Sequence, residues 1–586
     1  MRAGAAWVGH RFAAVSRRSG RMRLSAAVVL AVAAGAALAV VAEVALIAVF
    51  HPPRTGGSPI DVTKLAFTVV GGVGGVVALV IAYRRQRDLE QNRFVERFGA
   101  AAAQLGATDV AVRIAGVYAM AGVADESDGL RRQQCIDVLC GYLRLPYDAA
   151  HGSSGRTKRV VTVPNPRVED VDDPGKVEEH HEYRNNDREV RATIIRVIAA
   201  HLRPEAEYRW SENDFDFRTA HLENVDLSHA KFLGSAMFND AIFSGGAGFQ
   251  GATFASDAVF RGTFFSDGGA GFGGATFSGG AMFNGASFTG IAVFNDATFS
   301  GGAMFNDATF TGGAVFRRAA FDVAEFRGAT FSSVAEFRGA TFAQDVAFND
   351  AIFRRSSGFL GVVFAGHAVF SDVDFFSSAG FRGTTFSGDA VFNDVTFAST
   401  ARFRGTTFTS GAIFRGATFS GDAEFRGATF TGKAVFRRTA FTSDAVFTGA
   451  TLTRGADFRE VAFTRGAVFT GATFSGDAEF RGATFTSDAI FRGATFSGDA
   501  EFRGATFSSA AVFNDAAFTS SAAFNGVSFT DGAEFKNANF GSRTISFSTP
   551  KRWGPPAPVF DWGQEASRKP ANIEPQNWPP TIAADS

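Results

Sequence analysis

One apolar position recurs every five or six residues through more than half of the chain. Between residues 217 and 540 there are 60 such positions, and 57 of them are Phe. Most are preceded, two residues earlier, by Ala, Thr, Gly or Val. Residues i and i+2 of an extended strand point to the same side, so each unit has one apolar face. The full period is eleven residues, as in Ala423-Glu424-Phe425-Arg426-Gly427 followed by Ala428-Thr429-Phe430-Thr431-Gly432-Lys433.

Turn-forming pairs such as Arg-Gly, Asn-Asp and Thr-Gly follow most of the Phe positions. A short apolar unit cannot bury its face alone, whereas stacked units form a continuous core. The pattern therefore predicts a solenoid in which equivalent rings stack about 4.8 Å apart. Two steps break the spacing: Phe265 to Phe272 is seven residues, and Phe321 to Phe326 is five where six was due. We expect each break to form a local bulge or kink, or to mark a functional contact.

These units resemble the pentapeptide-repeat family, whose pattern is Ala, a polar residue, Leu or Phe, and two polar or small residues. Ala220-His221-Leu222-Glu223-Asn224 and Val225-Asp226-Leu227-Ser228-His229 match it without an extra residue. The resemblance covers roughly residues 215–545 and implies an all-β solenoid, a right-handed quadrilateral parallel β-helix. The extra residue in alternate units predicts about 22 residues per coil, about fifteen coils and a rod of roughly 70 Å.

Two long apolar runs precede the repeat. Leu24–Phe50 contains one charged residue, Glu43, and Leu65–Tyr83 contains none. About 20 apolar residues suffice to span a bilayer as a helix, so we predict a two-helix transmembrane hairpin; a buried hairpin in a soluble core is the alternative. Gly71 and Gly75 have the GxxxG spacing, which could support a homodimer or let the two helices of one hairpin approach closely.

The distribution of Arg and Lys around these runs predicts their orientation. Six Arg residues precede the first run and three follow the second, whereas the loop between them holds only Arg54 and Lys64. Since basic residues favour the cytoplasmic side, we expect a multi-pass protein of the bacterial inner (cell) membrane. Its N- and C-termini would both be cytoplasmic, and the lipid bilayer would be one of its partners.

The remaining pattern divides the chain into further segments. Apolar residues at helical spacing predict helices at Val110–Val123, Leu130–Leu143 and Glu189–Leu202. The predicted organisation is a basic cytoplasmic N-terminus (1–23), two transmembrane helices (24–50 and 65–83), a juxtamembrane α-helical segment (84–146), a polar loop or disordered insert (147–188), a helix leading into the cap of the solenoid (189–210), the repeat solenoid (211–548) and a Pro-rich disordered tail (549–586).

Two small groups of residues could carry chemistry. Cys135 and Cys140 are five residues apart on a predicted helix and do not share a face cleanly. Without a second Cys pair we interpret them as buried free thiols rather than zinc ligands. His180 and His181 lie in an acidic stretch, where weak metal binding is the alternative to a solvated loop; its acids are Glu178, Glu179 and Glu182.

The outward positions of the repeat carry charged pairs: Glu424/Arg426, Glu479/Arg481 and Glu501/Arg503. At 22 residues per coil, Glu479 stacks on Glu501 and Arg481 on Arg503, and diagonal contacts could offset this like-charge stacking. Histidine is nearly absent after the first coil, where only His229 and His367 occur, and no catalytic or metal-binding spacing recurs. We therefore predict that the protein is not an enzyme and has no catalytic, cofactor-binding or metal-binding residues, no cofactor and no small-molecule substrate.

The net charge of the repeat region distinguishes between two candidate functions. Residues 211–550 carry 25 Lys+Arg and 32 Asp+Glu, a net charge of −7. Some pentapeptide-repeat proteins imitate the charge of DNA and thereby protect DNA gyrase, which requires a strongly negative rod. We predict instead a membrane-anchored, cytoplasm-facing scaffold that presents the rod to unknown protein partners. A DNA-mimicking regulator or protector of DNA gyrase is the alternative, and direct binding of nucleic acid is not expected.

Overall fold

The computed structural model of the chain describes residues 59–150, 152, 156–162, 177–183, 187–563 and 565–583, with isolated helical positions between 33 and 48. The chain divides into two compact units, residues 1–100 and residues 101–586. The predicted basic N-terminus (1–23) lies outside the described residues, and so does most of the first predicted transmembrane helix (24–50).

The second apolar run lies in helix α1, Pro59–Leu105, which is 47 residues long. The run 65–83 makes up less than half of this helix, and eight charged residues between Arg84 and Arg97 share the helix with it. Among the residues that the structure describes, no helix is both long and apolar enough to cross a membrane. The predicted transmembrane hairpin is therefore not supported, and the predicted multi-pass location in the bacterial inner membrane is wrong.

Between α1 and the solenoid, the described residues form three shorter helices: α2 (Val110–Asp125), α3 (Leu130–Leu143) and α4 (Asp187–Leu202). Helix α2 begins after Asp109, whose Oδ1 accepts hydrogen bonds from the backbone N–H groups of Ala111 (2.7 Å) and Val112 (3.2 Å). This is the usual way in which an Asp side chain caps a helix N-terminus. The helices bury their apolar sides, including Val117, Leu139 and Ile194.

Part of the predicted polar insert is ordered as a β-hairpin. Strands β1 (Arg156–Thr162) and β2 (Val177–Tyr183) pair antiparallel, which corrects the prediction of a loop or disorder for these residues. The reason is the β-branched content of β1, which contains two Thr and two Val residues. In the backbone register His180 lies opposite Arg159, and His181 lies opposite Lys158.

From Phe215 onward the chain forms a parallel β-solenoid with four strands in each coil. One representative coil consists of Ala423–Glu424, Thr429–Phe430, Ala434–Val435 and Ala440–Phe441. Most strands have two residues, and those within the repeats that are longer are His221–Asp226, Ile242–Gly248, Thr298–Met304, Ala320–Glu325 and Ala533–Phe535. Each strand pairs with its equivalent about 22 residues later, over about 16 turns.

Alternation along each strand explains why the solenoid closes around phenylalanine. Ala423 and Phe425 are fully buried, whereas Glu424 between them reaches the surface. The ring of Phe425 stacks on that of Phe447 at 4.7 Å with an interplanar angle of 3°, and it meets Phe436 of the facing side at 5.4 Å and 87°. Each ring therefore combines stacking along the axis with edge contacts across the core, the two arrangements that aromatic pairs favour.

The corners between strands are of two kinds. After Ala-x-Phe the chain makes a β-turn: the N–H of Ala428 donates to the carbonyl of Phe425 (3.1 Å), and Gly427 adopts a left-handed φ of 61°. At the alternate corner, glycine allows two neighbouring coils to approach closely. A Cβ on Gly432 would lie 2.0 Å from the carbonyl oxygen of Ser410 in the preceding coil.

Both predicted breaks are local irregularities in the register. Across the first, the pairing step lengthens to 23 residues, as in Phe265 opposite Phe288, and the surplus residues form a corner at which Gly269 has a φ of 79°. Across the second, Thr298–Met304 pairs with the shorter Ala320–Glu325 through a register shift between Phe299 and Gly302. The surrounding coils keep their pairing, so the prediction of a local bulge is confirmed at the second break.

The C-terminal segment closes the last coil rather than forming the disordered tail predicted for 549–586. Strands Ile545–Ser546, Arg552–Trp553, Val559–Phe560 and Ile573–Glu574 extend the parallel columns, and a short 3-10 helix spans Ala566–Arg568. The physical reason lies in the aromatic residues between the prolines. Phe560 stacks on Phe535 of the last regular coil at 4.7 Å, and Trp562 stacks on Phe560 at 4.6 Å.

Candidate interaction surface

The four sides of the solenoid display two kinds of outward side chain. On two opposite sides, the Val faces, the outward residue comes from Ala-x-Phe and is most often Val, Glu or Gly. On the other two, the Thr faces, it precedes Phe and is most often Thr. Val face 1 contains Ala423–Glu424 and Val face 2 contains Ala434–Val435. Any chemistry of the solenoid must use these outward positions, because the inward ones are taken up by packing.

Each Val face carries a row of four aliphatic residues in consecutive coils. The rows are in direct Cα register and partly exposed: Val369, Val391, Ile413 and Val435 on Val face 2, and Val446, Val468, Ile490 and Val512 on Val face 1. β-Branched residues pack well on a pleated surface. Each row therefore forms a flat apolar strip on the outside of the solenoid.

The charged pairs predicted from the repeat lie where the 22-residue period places them. Glu479 is the direct register partner of Glu501 on Val face 2. The like-charge stacking is offset by two arginines. Arg481 Nε lies 3.7 Å diagonally across from Glu501 Oε2, and Arg503 Nε, in the same coil as Glu501, lies 3.0 Å from the same oxygen. Each of these pairs is substantially exposed and contributes little to stability alone.

Val face 1 has a different arrangement, which sequence reasoning missed. Arg382, Arg404 and Arg426 occupy one equivalent position in three consecutive coils, each following a ladder Phe, and all three are exposed. Only the Glu424/Arg426 pair was singled out from the sequence. Aligning the residues that follow Phe at a spacing of 22 would have revealed the column.

The N-terminal end of the solenoid is covered by α2, α3 and α4, which meet around a buried polar cluster. Arg113 Nη1 lies 2.5 Å from Asp187 Oδ1, and the Tyr142 hydroxyl donates to the same oxygen at 2.5 Å. Arg113 is 2% exposed and Asp187 is fully buried. Burial, reinforced by the hydrogen bond to Asp187, raises the pKa of Tyr142 to about 12, so the hydroxyl stays protonated and donates.

A second buried arginine ties the helices to the first coil. Arg191 donates to the backbone carbonyls of Leu143 and His221, the latter at 3.0 Å, and its guanidinium lies 4.4 Å from the centre of the Tyr147 ring. Beside it, the Tyr147 hydroxyl donates to Glu223 Oε2 at 2.8 Å. A cleft of about 640 Å³ opens here between α4 and the first coil, and its charged lining is nearly balanced: Arg188, Arg191, Arg196, Arg203, Glu189, Glu223 and Asp226.

Trp210 fixes the junction between α4 and the solenoid. It is fully buried, its indole N–H donates to Asp125 Oδ1 at 2.8 Å, and its ring stacks on His201 at 4.0 Å. Because these groups come from α2, α4 and the linking segment, they hold the helices and the first coil together. We interpret the buried groups of this region as a structural cap.

The two cysteines lie on α3, where both are free and buried. Burial raises the pKa of Cys135 to about 11 and that of Cys140 to about 12. Both thiols are therefore protonated at neutral pH, as the interpretation of buried free thiols predicted. Among the residues that the structure describes, no group of three or more His, Cys, Asp or Glu side chains is placed to hold a metal ion.

This protonation leads to a prediction of low thiol reactivity. In the folded protein, Cys135 and Cys140 are expected to react with a disulfide reagent at pH 8 far more slowly than a free thiol, because the thiolate is the reactive form. Absorbance of the released chromophore measures the rate. The same protein in guanidinium chloride is the control, in which both thiols should react at once. Rapid labelling of the native protein would contradict the buried placement.

His229 and His367 have structural surroundings. His229 lies at a corner with a left-handed φ of 60°. The His367 backbone N–H donates to Asp345 Oδ1 (2.8 Å), and its Nδ1 accepts from the backbone N–H of Asp389 (3.1 Å). Each contact links neighbouring coils along one corner column.

The fold defines a class of repeat protein in which stacked coils present long columns of side chains. Comparison with known proteins is more specific, because a family model described as "Pentapeptide repeats (9 copies)" matches overlapping segments that together cover residues 217–506. The chain belongs to the pentapeptide-repeat family, as its sequence units indicated. No curated protein and no solved structure matches it.

Proposed function

We propose that the protein is a non-catalytic scaffold whose solenoid binds protein partners through its Val faces. The observation that carries this proposal is the pair of aliphatic strips on opposite sides of the solenoid, each continued along its own face by charged residues. Glu424 precedes the strip on Val face 1, and Asp457 and Glu479 follow the strip on Val face 2. An apolar centre with a polar rim is the usual composition of a protein interface. Two opposite faces would allow two partners to bind at once.

Photo-crosslinking tests this function at a chosen outward position. A photoreactive amino acid replaces Ile413, at the centre of the strip on Val face 2, in the full chain expressed in cells. The control is the same amino acid at Asn577, an exposed position in the C-terminal segment. Irradiation is expected to give reproducible adducts with one or a few proteins from position 413 and not from position 577.

Two outcomes would count against this function. Identical adducts from both positions would show non-specific contact, and no reproducible adduct from position 413 or from Ile490 on the other strip would contradict a protein-binding role of the strips. Recovery of DNA gyrase as the main adduct would favour the alternative regulator or protector of that enzyme.

A further inference from the structure

The arginines of Val face 1 form a charged column without matching acids. The rings that precede Arg382, Arg404 and Arg426 stack at 4.8 Å between successive coils, so the three arginines emerge from the surface at the same interval. Arg402 joins them from the strand Ala401–Arg402, which directly precedes the turn that contains Arg404. Among the described residues, none of these four guanidinium groups has a carboxylate within ion-pair distance.

The opposite side of the same solenoid provides the comparison. On Val face 2 the equivalent positions of three consecutive coils are Arg459, Arg481 and Arg503, and the residues two before them are Asp457, Glu479 and Glu501. Each arginine there lies between 2.6 and 3.7 Å from one of these acids. On Val face 1 the residues two before the arginines are Gly380, Arg402 and Glu424.

The net charge of these positions differs between the two faces. The six positions on Val face 2 hold three Arg and three acids, for a charge of 0, whereas those on Val face 1 hold four Arg and one Glu, for a charge of +3. Because like charges about 5 Å apart repel one another, an unmatched column is a site where a multivalent anion is favoured. Guanidinium groups also bind carboxylates through paired hydrogen bonds.

The surroundings of the column indicate which anion fits. Next to it the strand positions Gly358 and Gly380 carry no side chain, so no side chain covers the backbone at these two positions of Val face 1. Leu360 continues the column as a 39% exposed apolar residue. Phe376, at the corner on the other edge of Val face 1, is 53% exposed, with the Arg354 guanidinium 5.9 Å from its ring centre. The patch therefore combines a row of cations with an apolar margin.

We propose that this patch, defined by Arg382, Arg402, Arg404, Arg426, Leu360 and Phe376, binds an acidic segment of a partner protein. The segment would carry at least two carboxylates within about 10 Å, the length of three coils, next to an apolar side chain that contacts Leu360 or Phe376. The proposal rests on the scaffold function and specifies one class of partner.

Nucleic acid fits the same surface less well. Single-stranded nucleic acid is usually held by a basic groove and several aromatic platforms, whereas the patch has one exposed ring. The solenoid as a whole also carries a net charge of −7, which opposes the approach of a long polyanion. A short acidic segment engages the patch locally and avoids most of this repulsion.

The test uses the full chain and a fluorescent twelve-residue peptide of alternating Glu and Leu, with binding followed by fluorescence anisotropy. The triple variant Arg382→Gln, Arg404→Gln, Arg426→Gln removes the column. The matched control Arg459→Gln, Arg481→Gln, Arg503→Gln removes the same charge from the opposite face. We expect the first variant to bind at least tenfold more weakly than wild type, the control to remain within twofold of it, and added salt to weaken wild-type binding.

Several results would overturn the assignment. Equal loss in both triple variants would show a response to total charge, and tighter binding of a twelve-nucleotide oligothymidine would make the site one for nucleic acid. Absence of peptide binding by wild type would also reject it. The side chains of Arg382, Arg404 and Arg426 are exposed, so their triple variant should fold, and the single variant Arg404→Glu provides a second measurement. In the control, Arg459 is partly buried and pairs with the buried Asp457, so circular dichroism first checks that the control variant is folded. If peptide binding fails these tests but photo-crosslinking from position 413 persists in the triple variant Arg382→Gln, Arg404→Gln, Arg426→Gln, the proposed patch is rejected and the scaffold function is not.

Discussion

Replacing Phe425 by Ala is expected to lower the free energy of unfolding by about 3–5 kcal/mol. The ring is fully buried and stacks on Phe403 at 4.8 Å and on Phe447 at 4.7 Å. It also makes edge contacts across the core with Phe414 and Phe436, at 5.6 and 5.4 Å. Truncation would leave a cavity that these rings, held by their own coils, cannot fill. Urea unfolding followed by circular dichroism measures the loss.

Two controls make this result specific to the ladder. Phe425→Leu should cost clearly less, because Leu452 already occupies a ladder position and is fully buried. Thr429→Ala, at an outward and partly exposed position, should change stability little. Similar losses for Phe425→Ala and Thr429→Ala would show that ladder burial does not dominate stability.

The second large effect is expected in the N-terminal cap. Asp187→Ala should destabilise the protein by about 3–5 kcal/mol, because it leaves the buried guanidinium of Arg113 without its carboxylate. The Tyr142 hydroxyl would lose its acceptor at the same time. Urea unfolding measures the total loss, and backbone hydrogen exchange in α2 and α4 shows whether it is local to the cap.

A double variant separates the ion pair from the packing. Arg113→Met with Asp187→Leu replaces both charges by apolar groups and should regain most of the stability lost in Asp187→Ala, since no buried charge is left unpaired. If the double variant is as unstable as the single one, the buried ion pair is not the cause of the loss.

The solenoid could be predicted from the sequence because the residue pattern that produces it is periodic. Each ladder Phe repeats the same local alternation, and α3 begins and ends at the predicted residues because an apolar helical pattern defines it. The C-terminal closure has no such period. Trp553, Phe560 and Trp562 are spaced irregularly among prolines, and their role can be seen only from how they pack on the end of the last coil.

The polar parts of the molecule were harder to predict for a related reason. The Arg113–Asp187 pair joins residues that are 74 apart in the sequence, and nothing local indicates that they meet. The apolar run 65–83 is a different case: its hydrophobicity predicts a membrane span, but it makes up less than half of the 47-residue helix Pro59–Leu105, and no helix among the described residues is long and apolar enough to cross a membrane. The arginine column was visible in the repeat, but only when charge was compared between coils rather than within one unit.

The regular register has a consequence for how such a protein can change in evolution. Within the regular coils every layer presents nearly the same inner surface to the next, and the pairing step is 22 residues, as in Ala423 opposite Ala445. A tandem duplication or deletion of any 22-residue segment there would leave both end closures in contact with the layers they already recognise. Only the separation of the two ends would change, by about 4.8 Å for each coil. The number of coils can therefore change in evolution without any change in the contacts that close either end of the solenoid.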